Sequence, residues 1–158
     1  MWRLGKDGDF RLVGDNEDAW FSHQHYASII DAGVTNSFLV FDNGNARRNN
    51  DDSAHSRGQL FELDQTTATA KVSANIDLGD YALALGSAER LPNGNLHFGL
   101  GWMPNARAQM LEYSPSGTLV SQLEADTQIY RALRMPNMYT PLETEWIRQS
   151  FGDKGLQP

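Results

Sequence analysis

Apolar and polar positions alternate in short runs along most of this chain, and Gly, Asn, Asp and Pro close each run before any helical spacing develops. The runs that predict strands are Phe10–Val13, Tyr26–Ile30, Ser37–Phe41, Gly58–Leu63, Ala68–Asn75, Ser87–Leu91, Leu96–Gly101, Ala108–Tyr113, Leu119–Leu123 and Ile129–Arg134. Turn signals separate them at Asp31-Ala32-Gly33, Asp42-Asn43-Gly44, Pro92-Asn93-Gly94 and Pro115-Ser116-Gly117. Only the tail, Leu142–Phe151, has the character of a short helix. The expected class is therefore all-β.

An internal repeat orders the strands. Leu60-Phe61-Glu62-Leu63-Asp64 has a counterpart fifty residues later in Met110-Leu111-Glu112-Tyr113-Ser114. Upstream, Ser37–Phe41 matches Leu96–Leu100 at an offset of fifty-nine, and Ala27–Ile30 matches Ala88–Leu91 at sixty-one. The change of offset places an insertion between the second and third strands of the first unit. A four-stranded unit of roughly 50 residues is the size of a β-propeller blade. The expectation is a partial propeller over residues 1–141, with one blade at 25–75 and another at 86–123. Trp2-Arg3-Leu4 would close a preceding blade, Tyr130–Arg134 would open a third or close a ring, and 142–158 would form a tail. A propeller closes with about four to eight blades, so two imply missing blades or partner copies.

Composition narrows the function. The chain has 158 residues, is 40% hydrophobic and 21% charged, and contains no cysteine. Disulfides, thiolate metal sites and cysteine nucleophiles are excluded. Thirteen basic against 20 acidic residues give a net charge of −7 and a pI near 4.9, which argues against nucleic-acid and anionic-membrane partners. No apolar run approaches the roughly 20 residues of a membrane helix, and Met1–Gly5 lacks the apolar stretch of a signal peptide. No phosphate-binding Gly loop, serine elbow or zinc-protease motif is present.

Several stretches resemble the arylsulfotransferase family. They are Trp2-Arg3-Leu4-Gly5 with Gly8-Asp9-Phe10, Phe21-Ser22-His23-Gln24-His25, Phe41-Asp42-Asn43-Gly44-Asn45-Ala46-Arg47, Ser56-Arg57-Gly58, Leu91-Pro92-Asn93-Gly94-Asn95, Glu112-Tyr113-Ser114-Pro115 with Gly117, and Tyr130-Arg131. The chain departs from the family at Tyr26, where Asp commonly follows the Gln-His pair, and at Lys6, where Gly is usual. The resemblance implies a six-bladed propeller that moves a sulfuryl group from an aryl sulfate to a phenol. It implies no nucleotide donor, no cofactor and no metal, and a histidine that is transiently sulfurylated. The family's Gln-His falls on Gln24-His25, and its arginine after Asp-Asn-Gly falls on Arg47, with Arg48 as a close rival. The resemblance also implies export, to the periplasm or outside the cell.

The strand order itself supports a site. In a blade, the connection entering the first strand and the connection between the second and third strands share one face of the ring. That geometry predicts His23 and His25 on the same face as Arg47, Arg48 and Arg57. Arginine offers a rigid donor fork to a tetrahedral oxyanion, and a neutral imidazole can act as nucleophile or base. The candidate catalytic residues are thus His25 and Arg47, with His23, Arg48, Arg57 and His97 as substrate-binding candidates. Other readings stay open at this stage. His23 and His25 alternate as metal ligands or strand-start hydrogen-bonders would. Arg47, Arg48 and Arg57 share their loop with Asp51 and Asp52, as solvated ion pairs do. His97, between Leu96 and Phe98, has the setting of a packed core histidine, and His55 that of a surface loop residue. Trp20, Phe21, Tyr81 and Trp102 suit inter-blade packing, with Tyr81 and Trp102 also on the candidate face. Asp42, Asp51, Asp52 and Asp64 lack calcium-loop spacing. A propeller that binds a ligand without catalysis is the rival function.

Overall fold

The computed structural model describes residues 1–14, 19–30 and 36–135. Among these residues, nine strands form two sheets side by side. They are β1 (Arg11–Val13), β2 (His25–Ile29), β3 (Asn36–Asp42), β4 (Arg57–Asp64), β5 (Thr69–Asp77), β6 (Ser87–Arg90), β7 (Leu96–Met103), β8 (Arg107–Tyr113) and β9 (Leu119–Ala125). The orders are β1-β5-β4-β3-β2 and β6-β7-β8-β9. Strands β2–β5 and β6–β9 are two four-stranded antiparallel meanders, as in two blades of an unclosed propeller.

The first sheet carries one strand more than a blade needs. β1 pairs in parallel with the outer strand β5, Arg11 opposite Thr69. Trp2-Arg3-Leu4 forms no strand, contrary to the expectation that it closes a preceding blade. Leu4 packs against the Phe10 cluster instead, while the Trp2 ring lies partly exposed on its rim. The Trp2 ring meets Phe10 and Phe38 edge-on, at 5.1 and 5.7 Å between centroids. Aromatic edge contacts with Phe10 and Phe38 replace a ladder that the segment has no partner to form. Tyr130–Arg134 likewise lies across the second sheet without strand pairing, for the same reason. The Ile129 amide donates to the Gly101 carbonyl and the Ala132 amide to Ser87 Oγ. The turn expected at Asp31–Gly33 and the helix expected at Leu142–Phe151 lie outside the described residues.

Period-two patterning gives the first sheet two apolar faces, hence two cores. Leu39 and Phe41 of β3 face the second sheet, where they meet Ala88, Phe98, Leu100 and Leu111. Val40 and Phe61 face the other way, into a cluster with Phe10, Leu63 and Ala70, covered by Leu4, Trp20 and Phe21. The central contact between sheets is a ring against bare backbone. A Cβ on Gly58 would stand 2.2 Å from Phe98 Cζ, so only glycine admits that ring.

Pairing register sharpens the repeat. Phe38 opposes Phe61 and Phe98 opposes Leu111, so Phe38 and Phe98 are equivalent, one residue beyond the sequence match of Ser37 with Leu96. The extra residues of the first unit lie between β3 and β4. They include a one-turn helix, α1 (Asn45–Arg48), whereas β7 and β8 are joined only by a 3₁₀ turn at Pro104–Ala106.

Candidate functional site

The long β3–β4 connection folds back over the strand ends because the motif Asp42-Asn43-Gly44 sends successive groups in different directions. Asp42 pairs with Arg57 at the end of the β3–β4 ladder, so the two side chains share one face of the sheet. Asn43 turns to the opposite side. Gly44 then adopts φ 78°, ψ 24°, a left-handed conformation that favours glycine. Any Cβ there would fall 2.2 Å from the Arg47 guanidinium, so glycine also makes the room that brings Arg47 back.

Asp42 organises a charged cluster. Its carboxylate is fully buried, yet it serves two guanidiniums. Arg57 Nη2 and Arg47 Nη2 stand 2.8 and 3.1 Å from Asp42 Oδ2, and Arg57 Nε donates to the same oxygen at 2.9 Å. Oδ1 accepts from the Ser22 amide at 2.8 Å, which ties the connection before β2 to the cluster. Arg47 Nη2 also donates to the His55 carbonyl. Burial pulls the Arg47 guanidinium below its ordinary value, and the Asp42 charge opposes that shift. Two cations share this one anion, so Asp42 leaves one positive charge over, with Asp77 as a more distant counter-charge to Arg47. Arg48 adds another: it donates to the Ala54 carbonyl and stacks 4.9 Å over Tyr81, and it forms no ion pair among the described residues.

His25 belongs to a second network on the other face. It opens β2 opposite Phe41, whose ring faces the second sheet. A bulge follows, with Tyr26 at φ 53° as the extra residue, its ring 4.8 Å from Arg131. His25 Nδ1 lies 2.7 Å from Asn43 Oδ1, and its Nε2 lies 3.3 Å from the Leu85 amide nitrogen. Asn43 is buried and donates to the carbonyls of Ala82 and Leu85, at 2.8 and 3.1 Å. Ser56, also buried, donates to the Asn43 carbonyl and accepts from the Ala82 amide. The connection between β5 and β6 thus completes the surroundings of His25.

The predicted residues therefore meet at one end of the first sheet, but in two groups. Arg47 and Arg57 converge on Asp42, and Arg48 lies beside them on the same connection. His25 stands across the sheet, and among the described residues it touches no guanidinium. His23 is exposed, at φ 53°, two residues before β2. His97 is not brought to this end. It sits at the start of β7 between Glu89 and Glu112 on the neighbouring strands, 5% exposed, with Nδ1 3.2 Å from Glu89 Oε1 but out of hydrogen-bond alignment. His55 pairs with Asp77 at 2.8 Å on the surface. Asp42 and Asn43 are the structural centres of the two groups, and sequence reading took them for turn residues. The signal was present: a carboxylate at a strand end is followed by arginines at 47 and 57.

A cleft of about 480 Å³ opens beside the charged cluster, lined by Lys6, Trp20, Phe21, Ser22, Arg47 and Asp51 among others. His25 does not line it. Nearer to His25, Leu83 and Trp102 are exposed, 48% and 41%, and are joined by a backbone hydrogen bond. No group of three His, Asp or Glu side chains converges as a metal site among the described residues.

Comparison with known proteins adds one match. A family model described as Arylsulfotransferase (ASST) matches residues 5–133. No curated protein and no solved structure matches the chain.

Proposed function

The chain belongs to the arylsulfotransferase family, and from that premise we propose that it serves sulfuryl transfer from an aryl sulfate to a phenol, with His25 carrying the group between them. The observation that supports this reading is that an imidazole at the mouth of β2 and a cationic cluster stand at the same sheet end, on its two faces. In the proposed first step an imidazole nitrogen attacks sulfur, the S–N bond forms, and the S–O bond to the aryl group breaks. The leaving oxygen takes the electron pair. A second phenol then attacks the sulfuryl-imidazole and restores His25. Arg47 and Arg48 are proposed to hold the sulfuryl oxygens and spread their charge, with Arg57 supporting Arg47 through Asp42. His23, exposed and close in sequence, is proposed to exchange protons with the phenols. Trp102 and Leu83 offer the aryl ring an apolar wall. His97 is proposed as structural, since it stands at the other end of its sheet.

The test is a sulfotransfer assay between two phenols. His25→Ala is expected to lose turnover by at least 100-fold, the scale of a nucleophile and its acid–base work. Unchanged turnover would overturn the proposal and favour a propeller that binds an aryl anion without catalysis.

A further inference from the structure

We infer that Asn43 is a positioning residue that fixes His25 as the Nδ1–H tautomer and so makes Nε2 the reactive nitrogen. The deduction starts from the amide, whose two ends differ in chemistry. Asn43 Nδ2 stands 2.8 Å from the Ala82 carbonyl oxygen and 3.1 Å from that of Leu85. Two acceptors demand the NH₂ end, and a flipped amide would set oxygen against oxygen twice in a site that Asn43 shares with no solvent. The Oδ1 end must then face His25 Nδ1 at 2.7 Å. An amide oxygen only accepts, so Nδ1 carries the proton. The other nitrogen agrees independently. Nε2 lies 3.3 Å from the Leu85 amide nitrogen, a donor that can be met only by a lone pair.

Both contacts specify the same protonation state, and they come from opposite sides of the ring. Asn43 belongs to the β3–β4 connection and Leu85 to the connection that enters β6. Leu85 itself is held at φ 62°. The two contacts differ in strength. The Nδ1 bond is short and anchored in a buried amide; the Nε2 bond is long and easily exchanged for a substrate atom. The nitrogen that can leave its partner is therefore Nε2. Once sulfurylated, the ring would keep its Nδ1 proton against the Asn43 oxygen, which stabilises the positive charge of the intermediate. This inference rests on the proposed role of His25, but the arrangement of protons can be tested without any turnover.

The experiment is long-range ¹H–¹⁵N correlation on the ¹⁵N-labelled chain, at a pH well above the imidazole range, with His25→Gln used to assign the resonances. The expected result is a protonated, pyrrole-like Nδ1 and a pyridine-like Nε2. An Nε2–H tautomer in the wild-type chain overturns the inference whatever the sulfotransfer assay shows. Conversely, an Nδ1–H tautomer in a chain without sulfotransfer leaves the inference standing and removes the function. Asn43→Ala supplies the second measurement, because it removes the acceptor of the Nδ1 proton. The Nε2–H tautomer of His25 is expected to gain population in the same correlation spectrum; an unchanged tautomer in a folded variant contradicts the positioning role.

Discussion

The two sheets join their second and third strands in opposite ways, and the chemistry follows the difference. In the second sheet, β7 passes to β8 through Pro104–Ala106, and the ladder resumes at once with Met103 opposite Arg107. The groups there make ordinary surface pairs: Arg107 stands 3.8 Å from Asp80 and 4.0 Å from Glu124. In the first sheet, the chain leaves β3 at Asp42, forms α1 and returns at Arg57. That excursion buries Asp42, Asn43 and Ser56 and gathers Arg47, Arg48 and Arg57 over one sheet end. The sheets supply a rigid rim, and the inserted connection supplies the functional groups. The connection that leads into the second sheet lends backbone atoms to the site, the carbonyls of Ala82 and Leu85 and the Leu85 amide.

The sharpest way to break this contrast is to remove its buried anion. Asp42→Ala leaves Arg47 and Arg57 facing each other without a counter-charge, and should cost about 3–5 kcal/mol in urea unfolding. The contrasting change beside the second sheet, Asp80→Ala, removes a partner 3.8 Å from Arg107 and an acceptor for the Tyr81 amide, and should cost only about 1 kcal/mol. Equal losses would erase the distinction between the two connections. Next in size is the contact that holds the sheets together. Gly58→Ala drives a methyl into the Phe98 ring, and overpacking of that kind costs about 1–3 kcal/mol. Because Leu85 reaches His25 across that same interface, the variant should also weaken turnover. A smaller loss, about 1–2 kcal/mol, is expected for Gly44→Ala, which strains the left-handed turn and pushes on Arg47. Its kinetic signature, read by steady-state assay, should be a weaker hold on the sulfate group.

Acid sensitivity separates the sheets more gently. Glu112 of β8 is held below the usual glutamate range, first by the Asn95 hydrogen bond and further by the Arg134 charge. A lowered folded value stabilises at neutral pH, and the contribution fades as pH falls from the ordinary glutamate range through the lowered value. Glu112→Gln should therefore flatten the acid limb of stability measured by denaturant midpoints. An unchanged limb would mean that Asn95 and Arg134 do not hold the carboxylate.

Much of the fold was legible because a strand shows itself in each side chain separately. Period-two runs and Gly-Asn-Asp-Pro turns located nine strands among the described residues to within a few positions, and the change of offset pointed to the long β3–β4 connection. Elements that depend on a partner were not legible. Trp2-Arg3-Leu4 and Tyr130–Arg134 have strand composition, but a run becomes a strand only beside another edge, and here each is held by side-chain packing or single hydrogen bonds. The pairing of the fifth strand was hidden for the same reason: Phe10–Val13 reads as a strand, yet nothing local announces its parallel pairing with Thr69–Lys71. For the site, alternation at the end of β3 decides more than proximity does. Sequence order placed His25 and Arg47 on one end of the sheet, while the pleat sends Asp42 and Asn43 to opposite faces and splits the candidates between them.

The central claim is that His25 carries the sulfuryl group, and trapping tests it most directly. The chain is incubated with an aryl sulfate in the absence of acceptor phenol, quenched in base and mapped by peptide mass spectrometry. The expected result is a gain of one sulfuryl group on the peptide containing His25, lost on adding a phenol and absent from His25→Ala. Release of phenol with the His25 peptide unmodified, and undiminished in His25→Ala, would contradict it.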